Sequence, residues 1–193
     1  MQNIIYLPSA LGAVTPHNLY GVNNDTPACV HADTGAIAAV TGEPVSRVRD
    51  AIRLVLFGAG WVDRPRPPFV GAMSETAIEE TLRVLGYIGR WTDVAGLPTL
   101  AAYLNCQAGV HKGHPYIVSL TDRRATVSGD LYCDMANRCH VIDVKDASTR
   151  RQRVQRVFIV TYRIFGTHVP TKGTVAISRR SVPARKKPWL TGV

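Results

Sequence analysis

A cysteine and a histidine stand two residues apart at the entrance of an apolar segment, a placement that suits nucleophilic chemistry. Cys29 and His31 precede residues 36–40, a run without polar side chains. Such a run predicts a short buried helix. Because a helix N-terminus carries partial positive charge, it favours a thiolate over a thiol. Cys29 is therefore a candidate nucleophile, whereas His31 is expected to be a surface or capping residue.

Cysteine and histidine also occur together later in the chain, where they are candidate zinc ligands. Their spacing lacks the Cys-x-x-Cys pairs of structural zinc sites. A phosphate-binding glycine motif is also absent, since Gly58-Ala-Gly60 follows a predicted helix instead of preceding one. We therefore predict neither a metal site nor a cofactor. The residues considered are Cys106, His111, His114, Cys133, Cys139 and His140.

Positive charge is concentrated in the last quarter of the chain. The net charge is +9, and residues 147–193 hold eleven Lys or Arg residues and no acidic residue. The part before position 147 has a net charge of −2. This asymmetry points to nucleic acid or an acidic protein surface as the partner of that end. The candidate contact residues are Arg150, Arg151, Arg153, Arg156, Arg179, Arg180, Arg185, Lys186 and Lys187.

The composition narrows the class of protein. Hydrophobic residues make up 46% of the 193 residues, which indicates a packed core rather than disorder. No apolar run is long enough to cross a membrane, and the N-terminus lacks the basic start and apolar stretch of a signal peptide. Four cysteines are too few for a disulfide framework. We expect a cytoplasmic product with free thiols and no membrane partner.

The first half of the chain predicts the helices that would position Cys29. Asp33 or Thr34 is expected to cap the apolar helix, and Gly42 to end it in a left-handed conformation. Apolar residues recur at helical spacing in two further segments. The other helices are expected between Glu43 and Gly58, between Ser74 and Gly86, and over residues 98–104.

The second half predicts antiparallel strands. Tyr116–Leu120 is rich in β-formers, and residues 125–127 and 131–133 flank a turn as the strands of a hairpin do. Helices followed by antiparallel strands indicate an α+β fold, with N-terminal helices packed on a C-terminal antiparallel sheet. Further strands are expected at residues 141–144, 156–165 and 174–178. The predicted division is an N-terminal arm (1–27), an α+β domain (28–178) and a basic C-terminal tail (179–193).

The order of these segments resembles the papain-like cysteine peptidases of the small kind that bacteriophages and bacteria encode. In that family an Ala-rich helix ends in Thr-Gly, further helices follow, and the catalytic histidine lies on the sheet. The resemblance covers roughly residues 25–145 and implies a papain-like α+β fold. The matching segments are 35–42, the helices near Arg47 and Glu75, 97–104, Tyr116–Leu120 and 127–134.

The family's chemistry requires a cysteine at the start of the central helix, a histidine on the sheet and a residue that orients the histidine. Along the family pattern, the nucleophile position falls at Ala32 and the histidine position at Arg123 or Arg124. Cys29 lies three residues before the nucleophile position. The resemblance therefore implies a degenerate copy that has lost both essential side chains.

Three functions from different classes are open at this point. The first is a non-catalytic structural or assembly protein, which the resemblance places in a bacteriophage virion as a capsid, decoration or tail-associated component. It would be found in the virion, or in the host cytoplasm before assembly, with its arm and tail on neighbouring subunits. The second is a cysteine peptidase or amidase with Cys29 as nucleophile, His114 as base and Asp134 as orienting group. The third is nucleic-acid binding through the basic C-terminal segment.

Overall fold

A computed structural model describes residues 4–6, 19–106 and 114–164, without the side chains of 4–6 and 162–164. This part of the chain contains four α-helices and one seven-stranded sheet. The helices are α1 (Ala32–Thr41), α2 (Val45–Phe57), α3 (Glu75–Val84) and α4 (Leu100–Cys106). The strands are β1 (Ile4–Tyr6), β2 (Tyr87–Asp93), β3 (Tyr116–Leu120), β4 (Arg124–Ser128), β5 (Leu131–Asp134), β6 (Val141–Asp143) and β7 (Val154–Ile164).

Helix α1 is buried along nearly its whole length, as its composition predicts. Residues 33–41 are all buried, and Gly42 ends the helix with a φ of 72°. The capping role expected for His31 is confirmed, and the one expected for Asp33 or Thr34 is not. His31 occupies the N-cap position, and its Nδ1 accepts a hydrogen bond from the backbone N–H of Asp33 at 3.4 Å. The prediction that Asp33 or Thr34 caps the helix is wrong, because the Asp33 carboxylate has partners elsewhere in the fold.

The other helices confirm the sequence pattern closely. Helix α2 ends at Gly58, whose φ is 70°. The side chain of Ser74 caps α3 by accepting a hydrogen bond from the N–H of Ala77. Helix α4 begins two residues after Pro98, slightly later than expected. Local signals therefore determine where these helices start and stop.

The sheet is built around β7. Antiparallel pairing gives the strand order β1-β7-β3-β4-β5-β6, and β2 pairs with β7 as well. Arg163 pairs with both Tyr87 of β2 and Ile5 of β1. Since a strand has two edges, β2 lies along one edge of β7, while β1 and β3 share the other. The fold is thus a mixed helix and antiparallel-sheet arrangement, which confirms the α+β class at that level.

Strand β2 departs from the predicted order of helices followed by strands. It lies between α3 and α4 in the chain and pairs with β7 over its whole length. The register shifts between Ile88 and Gly89. A Cβ at Gly89 would lie 2.2 Å from the carbonyl oxygen of Ile159, so only glycine allows the two strands to approach this closely.

Both faces of the sheet are covered. Helices α1, α2 and α3 pack on one face, where Ile117 and Phe158 join their apolar side chains in one cluster. On the other face, Val118 and Ile159 pack with Leu100 of α4 and with Ala147. A smaller cluster beside α1 contains Cys133 and Cys139. The buried central sheet explains why β3 and β7 are almost continuously apolar.

The predicted terminal extensions are described only in part. The end of the arm packs on the helices of its own chain: Tyr20 donates its N–H to Ala39, and the N–H of Val45 binds the carbonyl of Asn23. The predicted strand at 174–178 and the tail at 179–193 lie outside the described residues. Among the residues that are described, no helix is long and apolar enough to cross a membrane.

Candidate functional site

A cleft of about 450 Å³ opens where the N-terminus of α1 faces the sheet. Residues 31–33 form one wall, and residues 119–124 from the end of β3 to the start of β4 form the opposite wall. Ala72 and Gln155 complete the lining. The cleft therefore combines a helix entrance, a hairpin turn and two further segments that are far apart in sequence.

A β-bulge places Gln155 on the cleft wall. Ser119 pairs with Arg156 and Leu120 pairs with Val154, so Gln155 is an extra residue in β7 at this point. A bulge of this kind bends the strand and redirects a side chain. Sequence pattern alone gives no signal for it, because the extra residue is defined only by the pairing with β3.

A buried ion pair holds the two walls of the cleft together. Arg124 donates from Nη1 to Oδ1 of Asp33 at 2.7 Å and to the carbonyl of Met73 at 3.0 Å. The other carboxylate oxygen of Asp33 accepts the N–H of Met73 at 2.7 Å. The side chains of Asp33 and Arg124 are 4% and 18% exposed. Burial of this pair is compensated in part, because each group has a second partner in the backbone of Met73, while Nε of Arg124 is buried without a hydrogen bond in the described part.

The two catalytic positions implied by the family resemblance lie in this one cleft. Ala32, at the implied nucleophile position, is the first residue of α1, and Arg124, one of the two residues implied for the histidine position, is the first residue of β4. Neither side chain can perform the family's chemistry, since a methyl group is no nucleophile and a guanidinium stays protonated. His31 is the only imidazole that lines the described cleft.

A second, exposed ion pair lies on the rim of the cleft. Arg123 donates to Asp122 from Nη2 at 2.8 Å and from Nε at 3.1 Å. This hydrogen-bonded guanidinium lowers the pKa of Asp122 below its ordinary value, and the same contact raises the pKa of Arg123. Both groups are thus charged at neutral pH, and the rim carries one charge of each sign.

The candidate nucleophile Cys29 does not line the cleft. It is exposed in the segment before α1 and has a free thiol. Its carbonyl accepts a hydrogen bond from Nη2 of Arg49 at 2.6 Å, which anchors the segment to α2. Cys29 therefore lies before the helix and outside the lining of the cleft.

The structure does not bring His114 and Asp134 together. Asp134 pairs with Ala125, and Ala125 pairs with Val118, so Asp134 is level with Val118. His114 precedes Val118 by four residues, which corresponds to about 13 Å along an extended chain. Two strand spacings of about 4.8 Å also separate β5 from β3. A histidine–carboxylate hydrogen bond between these residues is excluded by the register.

Asp134 instead belongs to a buried network that the sequence did not reveal. One carboxylate oxygen accepts the hydroxyl of Tyr132 at 2.8 Å, and the other accepts the N–H of Asn137 at 2.9 Å. The Tyr132 hydroxyl also contacts the hydroxyl of Thr149. Burial raises the pKa of Tyr132. The network ties β5 to the segment that precedes β7.

The other thiols are packing residues or isolated surface groups. Cys133 and Cys139 are buried, and burial raises the pKa of the Cys133 thiol to about 12 and also raises that of Cys139. Cys106 is exposed at the end of α4. Within the described residues no three potential ligands cluster as a metal site would require. His111 lies outside those residues.

The predicted basic contact residues divide into paired and unpaired groups. Arg156 forms ion pairs with Glu75 and Asp93, so its charge is compensated within the domain. Arg150 and Arg153 donate to the carbonyls of Lys145 and Leu97, and Arg151 is exposed nearby. No carboxylate of the described part forms an ion pair with these three. Outside the described residues lie Arg179, Arg180, Arg185, Lys186 and Lys187.

Comparison with known proteins returned no match: no family model, no curated protein and no solved structure is similar to this chain at a significant level. The architecture that can be stated is the mixed helix and antiparallel-sheet fold described above. The cleft geometry is the strongest functional information that the molecule offers.

Proposed function

We propose that this chain is a non-catalytic structural or assembly protein built on a degenerate papain-like fold, and that it is a bacteriophage virion component. One observation carries the non-catalytic part of the proposal. Ala32 is at the nucleophile position of the resemblance, Arg123 or Arg124 is at its histidine position, and all three residues line the same cleft. The virion setting comes from the family resemblance alone.

The chemistry of the cleft favours loss of the reaction. A cysteine peptidase needs a thiolate and a neutral imidazole that accepts and returns a proton. Arg124 cannot exchange a proton near neutral pH, and its guanidinium is held by Asp33. The space used for catalysis in the family is here used for an ion pair that joins helix to sheet.

The hydrolase alternative is weakened by the positions of its three candidate residues. Cys29 lies outside the cleft lining, and the strand register separates His114 from Asp134. Asp134 therefore cannot orient His114 as a catalytic base. Non-catalytic function is the interpretation that agrees with both the sequence spacing and the register.

Alkylation of each thiol by iodoacetamide across pH, followed by mass spectrometry, tests the non-catalytic assignment. We expect Cys29 to react about as fast as the exposed Cys106, because no imidazole of the described residues forms a hydrogen bond with its thiol. Cys133 and Cys139 should react only on unfolding. The variant His114→Ala should leave the rate at Cys29 unchanged. A fast reaction of Cys29 at neutral pH that is lost in His114→Ala would reinstate the hydrolase.

Mass spectrometry of particles provides a direct test of the virion assignment. Particles would be purified from a culture that carries the gene, by banding in a density gradient. The expected result is the chain in constant ratio to the major particle protein across the gradient band. Its presence only in the soluble fraction would contradict the virion assignment and leave the non-catalytic assignment standing.

Nucleic-acid binding is a second candidate, favoured by the three arginines without ion pairs. Guanidinium groups that neutralise phosphates release counterions, so binding weakens as salt rises. The variant Arg150→Gln/Arg151→Gln/Arg153→Gln should reduce the slope of log affinity against log salt by about 3 on duplex DNA if all three contact phosphate. The control Arg156→Gln changes an arginine that is already paired. Binding that does not respond to salt would exclude this function.

A further inference from the structure

One aromatic side chain projects into solvent from the segment that leads to the cleft. Phe69 is 86% exposed, the highest value among the exposed large apolar residues of the described part. It follows Arg64-Pro65-Arg66-Pro67-Pro68. We name residues 64–69 the proline loop. An aromatic side chain held in water by its own fold is a typical anchor for a partner.

The proline loop is fixed at its base. Nε of Arg53 donates to the carbonyl of Pro68 at 3.1 Å, and the guanidinium of Arg53 lies 5.2 Å from the centre of the buried Trp61 ring. Val70, the next residue after Phe69, is buried. Three prolines further restrict the backbone. Little conformational entropy is lost when such a preorganised loop binds.

The cleft lies directly beside this loop and has space that the described residues leave open. Ala72, three residues after Phe69, is part of the cleft lining. Three residues span at most about 11 Å. The apolar members of the lining are Ala32, Ala72 and Leu120, and the cleft volume of about 450 Å³ exceeds that of one aromatic side chain. Phe69 itself points into solvent rather than into this space.

We propose that the cleft receives Phe69 of a second copy of this chain. Loop and cleft are neighbours on one surface, so a twofold axis between two copies allows both insertions at once. The charges agree with this arrangement. Arg66 is exposed without an ion pair in the described part, and Asp122 on the rim is half exposed. The carboxylate of Asp122 can accept the guanidinium of Arg66 from the other copy in addition to that of Arg123.

This occupant explains two features that the non-catalytic fold leaves without a role. The cleft keeps about 450 Å³ of open space between walls that are mostly polar, with Ala32, Ala72 and Leu120 as apolar members, and the proline loop keeps Phe69 in water although burial would be favourable. Insertion of Phe69 into the cleft of the other copy would fill the cleft and bury the aromatic ring in one contact. The interaction holds whether or not the chain is a virion component.

Sedimentation equilibrium of the full chain at about 100 μM tests the proposal, because a dimer with a Kd near 10 μM is then mostly associated. We expect a reversible dimer. Phe69→Ala should weaken dimerisation at least tenfold, since each copy loses its apolar anchor. Ala72→Trp, at an exposed position, should do the same by filling the cleft. The control Leu97→Ala removes another exposed apolar side chain and should change nothing.

Mixing the two defective variants sharpens the test. Phe69→Ala retains an open cleft and Ala72→Trp retains Phe69, so the mixture should form heterodimers more strongly than either variant forms homodimers. Melting temperatures close to wild type would show that both variants are folded. A monomeric wild type overturns the proposal. Association that persists in Phe69→Ala also overturns it. Association that Ala72→Trp leaves unchanged does so as well, because Phe69 would then bind another partner or another surface.

Discussion

Arg123 and Arg124 are adjacent in the chain and both pair with an aspartate, yet the two ion pairs have different consequences. The closest N–O distances are 2.8 Å for Arg123–Asp122 and 2.7 Å for Arg124–Asp33. The first pair is open to water, with side chains 34% and 49% exposed, whereas the second has side chains 18% and 4% exposed. Distance therefore does not distinguish them, and burial does.

The pairs also differ in what they connect. Asp122 and Arg123 are consecutive residues, so their contact adds no constraint between distant parts of the fold. Asp33 and Arg124 are 91 residues apart and join the start of α1 to the start of β4. When one partner of an exposed pair is removed, water solvates the remaining charge. When one partner of a buried pair is removed, the remaining charge has neither a partner nor water. Only the buried pair is expected to support the architecture.

The largest effect is expected when one partner of the buried pair is removed. Asp33→Ala leaves the guanidinium of Arg124 uncompensated and the N–H of Met73 without its acceptor. The free energy of unfolding should fall by about 3–5 kcal/mol, measured by urea denaturation. The matched control is Asp122→Ala, which should lose far less stability, because water replaces the contact of an exposed pair. Equal losses of unfolding free energy in the two variants would show that the buried pair stabilises the fold no more than the exposed pair does.

A smaller effect is expected when both charges of the buried pair are removed together. Arg124→Met in the Asp33→Ala background takes away the unpaired charge and should recover about 1–3 kcal/mol of the loss. Recovery should be incomplete, since both side chains also bind the backbone of Met73. A double-mutant cycle with urea denaturation measures the coupling. Strictly additive losses would contradict a direct interaction between Asp33 and Arg124.

The smallest effect concerns the titration of Asp122. The hydrogen bonds from Arg123 lower the pKa of this carboxyl below its ordinary value of 3.8. The resulting stabilisation is present above the unfolded pKa and is lost as the pH falls through the folded pKa. The carboxyl chemical shift of Asp122, followed by NMR, should titrate below 3.8, and Arg123→Gln should move the titration back up. An unchanged midpoint in Arg123→Gln would assign the shift to another group.

The sequence alone was sufficient where neighbouring residues decide the structure. Helix α1 is apolar throughout and ends at Gly42, and α3 starts after Ser74, because capping and left-handed ends are local effects. Strand β3 matches the predicted Tyr116–Leu120, and β4 and β5 form the predicted hairpin. Hydrophobic pattern and turn residues are enough for such elements.

Strand β2 and the role of Asp33 were not predicted correctly because distant partners decide them. Gly89 interrupts the strand pattern of β2, yet glycine is what lets that strand approach Ile159 of β7. Aspartate is a residue type that often caps helices, but the carboxylate of Asp33 is bound by Arg124 and by the N–H of Met73. His31 is the N-cap instead, and its Nδ1 accepts the backbone N–H of Asp33.

The candidate site shows the same division most clearly. The family resemblance places the nucleophile position at Ala32 and the histidine position at Arg123 or Arg124. Only the tertiary structure shows that both positions face one cleft, that the Asp33–Arg124 pair joins its two walls, and that β-strand register keeps His114 away from Asp134. Ion pairs and register join residues far apart in the chain, and no local pattern encodes which distant residue will be the partner.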